Sequence, residues 1–160
     1  MNTFTKLLYR SLIVLSVLVL GCQQAVSNSS SPNSSSTSGP VQGTIGGKSF
    51  TEATATASAS TTVTNDYTIV LNNSTGVDPN GVTFTVGPTA QSYSVTTLGQ
   101  NGGLSVIAST GGYNEVGFDS GTVVITKVDT TNKQIVGSFS SVNTSDGTSS
   151  LSGSFTATIQ

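Results

Sequence analysis

The end of the chain alternates strictly between apolar and polar side chains. Its apolar positions are Leu151, Gly153, Phe155, Ala157 and Ile159, and a serine or threonine stands at each position between them. A period of two residues puts the two sets on opposite faces of an extended chain. The pattern therefore predicts an antiparallel strand with one face in the core and the other in water.

The same pattern recurs through residues 41–160 as short runs of Val, Ile, Phe, Tyr and Thr, interrupted by Gly and Asn. Such runs are typical of strands separated by turns. Gly46-Gly47 predicts a two-residue hairpin, because glycine adopts positive φ at both turn positions. We expect about nine strands, at residues 41–45, 48–60, 67–71, 82–86, 92–98, 104–109, 122–128, 134–142 and 149–160. Beyond residue 21, no window has a helical apolar period, and we expect almost no helix.

About nine strands in residues 41–160 provide enough apolar side chains for one core. The prediction is a single all-β domain, an antiparallel β-sandwich, and the alternative is a closed antiparallel β-barrel with an interior that could hold a ligand. The segment 53–60 alternates Ala with Thr and Ser, so its apolar face buries little area. We expect it to form an edge strand.

The first 21 residues have a different pattern, with Lys6 and Arg10 preceding an apolar run at residues 12–20. A basic head, a short apolar run and small Gly21 have the layout of a cleavable export signal. The run is too short for a membrane-spanning helix, which needs about 20 apolar residues. The cysteine that follows, Cys22, is the only one in the chain.

Val19-Leu20-Gly21-Cys22 resembles the lipobox of bacterial lipoproteins. The resemblance implies that the signal 1–21 is removed and that Cys22 carries the lipid that attaches the protein to a membrane. Several acyl chains on one residue make such attachment stable. Residues 22–40 then form a Ser/Asn-rich tether, which lacks the apolar side chains needed to order a chain. Gln23 after the cysteine, where an Asp would favour retention in the inner membrane, implies outer-membrane delivery.

The charge that remains after the signal is small and acidic. Residues 22–160 contain three lysines and seven acidic residues, a net charge of −4. Nucleic-acid binding depends on clustered Lys and Arg, so we expect no nucleic-acid partner. The chain has no histidine, which excludes Ser-His-Asp and Cys-His catalysis and histidine-based zinc sites.

Carboxylates are the remaining candidates for chemistry. Glu115 and Asp119 would share one face of an extended segment, as a glycosidase pair could, but solubilising charges in a loop between strands are the favoured explanation. The oxygen-rich segments Asp78-Pro79-Asn80-Gly81 and Asn143-Thr144-Ser145-Asp146-Gly147 could offer calcium ligands, yet neither has the spaced ligand pattern, and both fit ordinary turns. We therefore expect no catalytic residues, no metal and no cofactor.

Aromatic side chains could form a glycan-binding face, and the candidates are Tyr67, Tyr93 and Tyr113. The chain has no tryptophan, the residue with the largest stacking area. We expect these tyrosines in the core or at its rim, half-buried with their hydroxyls at the rim, rather than in contact with a ligand.

Glycine-plus-aromatic patterns recur at residues 41–50, 120–126, 137–139 and 153–155. They resemble a family of small β-rich bacterial lipoproteins of unassigned function, which implies a β-rich fold and no catalytic residues. We expect a non-catalytic, lipid-anchored envelope protein, periplasmic or surface-exposed, whose domain contacts a protein or glycan partner. The alternative is a barrel-like binding module for a small lipid or glycan.

Overall fold

The computed structural model describes residues 39–75, 78–111 and 114–160. The regular secondary structure in this part of the chain is β-strand, apart from a single 3-10 stretch at Thr97–Gly102. The strands are β1 (Gln42–Ile45), β2 (Lys48–Ala59), β3 (Tyr67–Asn73), β4 (Gly81–Val86), β5 (Gln91–Ser94), β6 (Val106–Thr110), β7 (Asn114–Phe118), β8 (Ser120–Asp129), β9 (Gln134–Asn143) and β10 (Ser150–Ile159). The all-β prediction is confirmed, and no helix in the described residues is long and apolar enough to cross a membrane.

The ten strands form one sheet in the order β5-β8-β9-β10-β1-β2-β3-β4-β6-β7. Neighbouring strands are antiparallel, except that β10 also pairs directly with β2 in parallel, beyond the N-terminal end of short β1. The sheet curls into a half-barrel, which is consistent with both a sandwich and a barrel-like arrangement. Gly46 and Gly47 form the predicted hairpin turn between β1 and β2, with φ of 57° and 76°.

The core lies inside the curl and has three phenylalanine rings at its centre. Phe84 of β4 meets Phe139 of β9 and Phe155 of β10, with ring centroids 5.2 and 5.6 Å apart in edge-on contacts. Gly137 lies opposite Phe155 in the sheet, and a Cβ there would come within 2.7 Å of the Phe155 ring. The glycine therefore makes room for the ring. Strands far apart in the sheet meet across this core.

Three predictions about individual strands are wrong. The segment 53–60 belongs to β2, which lies inside the sheet between β1 and β3, and its Ala55 and Ala57 are buried. The strand expected at 92–98 ends at Ser94, because the chain turns away into the 3-10 stretch. The strand β7 was not predicted, since its Asn-Glu-Val-Gly-Phe sequence has too little apolar periodicity.

Candidate functional site

The two ends of the sheet are joined by the loop that follows β5. Val95, just after edge strand β5, forms an isolated bridge with Leu104, which leads into β6 near the opposite end of the sheet. The Leu104 amide donates to the Ser94 carbonyl at 2.8 Å, and the Thr96 amide donates to the Leu104 carbonyl at 3.1 Å. We call residues 96–103 the seam loop. These hydrogen bonds join its two ends at the place where the two ends of the sheet approach each other.

Internal hydrogen bonds hold the seam loop in an unusual conformation. The Thr96 hydroxyl donates to the Gln100 carbonyl at 2.9 Å, and the Gly99 amide donates to the Thr96 carbonyl at 3.2 Å. Leu98 has φ of 52°, in the left-handed region, and its side chain is 72% exposed. A non-glycine residue in that region costs about 1–2 kcal/mol. Such local strain is typical of segments that bind other molecules.

A groove of about 450 Å³ lies beside the seam loop, on the outer face of β4 and β6. Thr83, Thr85 and Ile107 form its floor, because they alternate with core residues and point outward. We call it the seam groove, and its lining residues are Val63, Asp66, Thr83, Phe84, Thr85, Gly99, Gly103, Leu104, Ser105, Ile107, Ser109 and Glu115.

Two exposed apolar side chains flank the seam groove from different loops. Val63, 49% exposed, lines the groove, and Leu98 immediately precedes Gly99 of the lining. In the described part of the chain these two are the exposed large hydrophobic side chains. The Ser60 hydroxyl accepts a hydrogen bond from the Val63 amide at 3.2 Å, which holds the loop before β3 in shape. Both side chains are thus presented to solvent by hydrogen-bonded loops.

The seam groove is also bordered by two acidic residues, Asp66 and Glu115. Their positions follow from the sheet register, in which Glu115 is level with Ser109 and Gly81, and Asp66 precedes Tyr67, the partner of Val86. Across the sheet the two residues are three strands apart, at about 4.8 Å per strand. Along the strands they are about six residues apart, at about 3.3 Å per residue. Together these components separate their backbones by about 25 Å over the surface. The backbones of the two acidic residues therefore lie far apart along the groove.

The structure gives the two candidate carboxylates, Glu115 and Asp119, different surroundings. Glu115 lies in β7 and borders the seam groove, so its assignment to a loop is wrong. Asp119 follows β7, and its carboxylate accepts a hydrogen bond from the Ser145 amide at 2.8 Å. Asp119 thereby connects the β7–β8 corner to the β9–β10 turn.

The two oxygen-rich segments use their carboxylates to hold the chain itself. Asp78 accepts hydrogen bonds from Lys48 Nζ and the Gly111 amide, and these contacts lower the pKa of its carboxyl group. Asp146 accepts from the hydroxyls of Thr144 and Thr148, which lower its pKa in the same way. The turn interpretation is confirmed for residues 143–147, where the Gly147 amide also donates to the Thr144 carbonyl at 3.0 Å. Asp78 instead connects its segment to residues distant in the chain. Within the described ranges, no group of three or more His, Cys, Asp or Glu side chains could hold a metal.

The predicted tyrosines that the structure describes lie at the rim of the core. Tyr67 and Tyr93 are half-buried against it, and the Gly87 amide donates to the Tyr93 hydroxyl at 2.7 Å. Tyr113 and the predicted lipidation residue Cys22 lie outside the described residues.

The seam groove was not predicted from the sequence. Leu98 was assigned to the end of a strand, and Val63 to the connection before another. One signal was available, because Leu98 stands among glycines 99, 102 and 103, a density that favours a turn. No local feature of the sequence indicates that the loop before β3 lies near the seam loop.

No protein-family model matches the chain, and neither a curated protein nor a solved structure matches it.

Proposed function

We propose that this chain is a lipid-anchored, non-catalytic protein of the cell envelope, whose β-domain binds a partner at the seam groove. The single observation that carries the binding role is the position of Val63 and Leu98, which two separate loops hold in solvent beside one groove. Exposed apolar side chains gathered at one site mark interaction surfaces, whereas scattered ones need no explanation. The conformation of Leu98 adds to this argument, since local strain is common at binding sites.

The anchor in this proposal comes from the sequence. A basic head, an apolar run and Gly21-Cys22 at its end fit lipid attachment at Cys22, and Gln23 favours the outer membrane. The Ser/Asn-rich segment at residues 22–40 would then give the domain freedom to reach a partner.

The surroundings of most carboxylates support a role without catalysis. Asp78, Asp119 and Asp146 each bind backbone amides of the loops around them. Asp129 binds Lys127 and Asn132 in the β8–β9 turn, and these contacts keep its pKa well below the usual range. A general acid near neutral pH needs a raised pKa instead.

The alternative is a small ligand inside a barrel, and the described core residues argue against it. The three rings of Phe84, Phe139 and Phe155 occupy the centre of the core, with the last two 5.9 Å apart. An interior ligand would have to displace them. We therefore place the binding role on the outer face.

A photoreactive amino acid at residue 98 or 63 tests the binding role in the cells that produce the protein. We expect both positions to form a covalent adduct with the same partner on irradiation. The control is the same amino acid at Thr156, which is exposed on β10 away from the groove lining. Absence of an adduct at both groove positions, or equal adducts at Thr156, would overturn the proposal.

The anchor has its own test. We expect Cys22→Ser to move the protein from the detergent phase to the aqueous phase, because the lipid is the strong membrane element that the sequence predicts. The domain should keep its urea unfolding midpoint. A variant that still enters the detergent phase at its original mass would refute lipid attachment at Cys22.

A further inference from the structure

Resting on the proposed function, we propose that the partner at the seam groove is an extended peptide segment with apolar residues at its centre and a basic residue near each end. The carboxylates that the fold leaves free at this site determine the chemistry of the partner.

The domain has seven acidic residues, of which five are engaged in holding the fold. Asp78, Asp119, Asp129 and Asp146 bind the turns described above. Glu52 accepts a hydrogen bond from the Val41 amide at 3.0 Å. The other two, Asp66 and Glu115, have no ion pair or side-chain hydrogen bond with the described residues, and both line the seam groove.

No positive charge of the domain balances these two carboxylates. Lys48 pairs with Asp78, Lys127 pairs with Asp129, and Lys133 lies in the β8–β9 turn. None of the three lysines lines the groove. The groove therefore has a negative potential, which favours a cationic partner and disfavours an anionic membrane surface.

The separation of the carboxylates determines the shape of the partner. Because the backbones of Asp66 and Glu115 lie about 25 Å apart over the sheet surface, farther than the two side chains can reach together, one metal ion or one small cation cannot contact both. An extended peptide rises about 3.4 Å per residue, so a segment of about seven residues spans that distance. Besides the two acids, the groove lining includes exposed Val63 and partly exposed Ile107, which suit apolar side chains.

Synthetic peptides bound to the full chain, purified in detergent, test this proposal. The probe is a blocked octapeptide with lysine at both ends and alternating leucine and threonine between them. In one comparison peptide glutamate replaces both lysines, and in another serine replaces the leucines. We expect the probe to bind at least tenfold more tightly than either, and its binding to weaken in 0.5 M salt, since exposed charges are screened.

Charge-neutralising variants locate the binding. Asp66→Asn and Glu115→Gln should each lower the affinity for the probe by about two- to fivefold, which is the contribution of one exposed ion pair. The double variant should lower it further. Asp119→Asn makes the same charge change outside the groove and should leave affinity unchanged. Unfolding midpoints of all variants show whether the fold is retained.

The outcomes separate this inference from the proposed function. Equal binding of the lysine and glutamate peptides, or a double variant that binds like the parent, would overturn the cationic partner. If Leu98→Ser weakens the binding of the peptides in either of these cases, the proposed binding role of the groove is retained. Spermine is a further comparison. If spermine binds as tightly as the probe, and Leu98→Ser does not weaken its binding, the site is a simple polycation site and the peptide proposal is overturned. Adducts at residues 63 and 98 without binding of the probe would reject the peptide chemistry alone.

Discussion

At the scale of single residues, Phe155 and Thr156 are neighbours on β10 with opposite surroundings. Phe155 is 3% exposed and contacts two other rings, whereas Thr156 is exposed on the outer face. Phe155→Ala should lower the free energy of unfolding by about 3–5 kcal/mol, as large-to-small core changes do. Thr156→Ala should change it by about 0.5 kcal/mol or less. Urea titrations measure both, and equal effects would contradict the assignment of the two faces.

Glu52 provides a test of pH dependence at a single carboxyl group. Burial raises its pKa, and the hydrogen bond from the Val41 amide opposes that change only in part. A raised pKa in the folded state contributes stability below the pKa of the unfolded chain, and this contribution is lost as pH rises through the folded value. Glu52→Gln keeps an acceptor for Val41 without the buried charge.

We therefore expect Glu52→Gln to be more stable than the parent at pH 7, with the advantage decreasing toward pH 4. Urea titrations of both proteins at the two pH values test this expectation. Glu52→Ala is the control, because it removes the acceptor as well and should be less stable than Glu52→Gln throughout. If Glu52→Gln is instead less stable than the parent at pH 7, the hydrogen bond from Val41 to the charged carboxylate outweighs the cost of burying the charge.

At the scale of elements, the β1–β2 hairpin is held against the β9–β10 turn by Ser149. Its side chain is fully buried, and its hydroxyl accepts a hydrogen bond from the Gly46 amide at 2.9 Å. The Gly47 amide adds a bond to the Thr148 carbonyl at 3.1 Å. These contacts connect segments that are about one hundred residues apart in the chain.

Ser149→Ala should lower the free energy of unfolding by about 1 kcal/mol, the usual net value of one hydrogen bond. Ser150→Ala is the matched control, because Ser150 is exposed and should tolerate the change within about 0.5 kcal/mol. Amide hydrogen exchange should also show faster exchange at Gly46 in the first variant. Unchanged exchange at Gly46 would mean that Ser149 does not hold this hairpin.

At the scale of the whole molecule, the contacts of the domain begin slightly before the predicted boundary at Val41. The Gly39 carbonyl accepts a hydrogen bond from the Ser154 amide at 2.8 Å, and the Pro40 carbonyl lies against Gly153. A fragment that starts at Gly39 retains these contacts with β10.

We expect residues 39–160 produced alone to unfold in one cooperative step, with a circular dichroism spectrum dominated by sheet. The reason is that β10 and β1–β2 come from opposite ends of the domain and pair inside one sheet, so neither end can unfold separately. Coincident urea transitions by circular dichroism and tyrosine fluorescence check this. Two separate transitions would show that the sheet contains independent units.

The extent to which this fold follows from local pattern differs between its elements. The strands near the C-terminus and the Gly46-Gly47 turn were predicted because alternation and glycine conformations are local properties. The position of β2 inside the sheet and the pairing of β7 with β6 were not, since they depend on partners distant in the chain. The same holds for the seam groove, whose Val63, Gly99 and Glu115 come from separate segments. Alternation specifies which side of a strand is buried, but only the curl of the whole sheet decides which exposed residues meet.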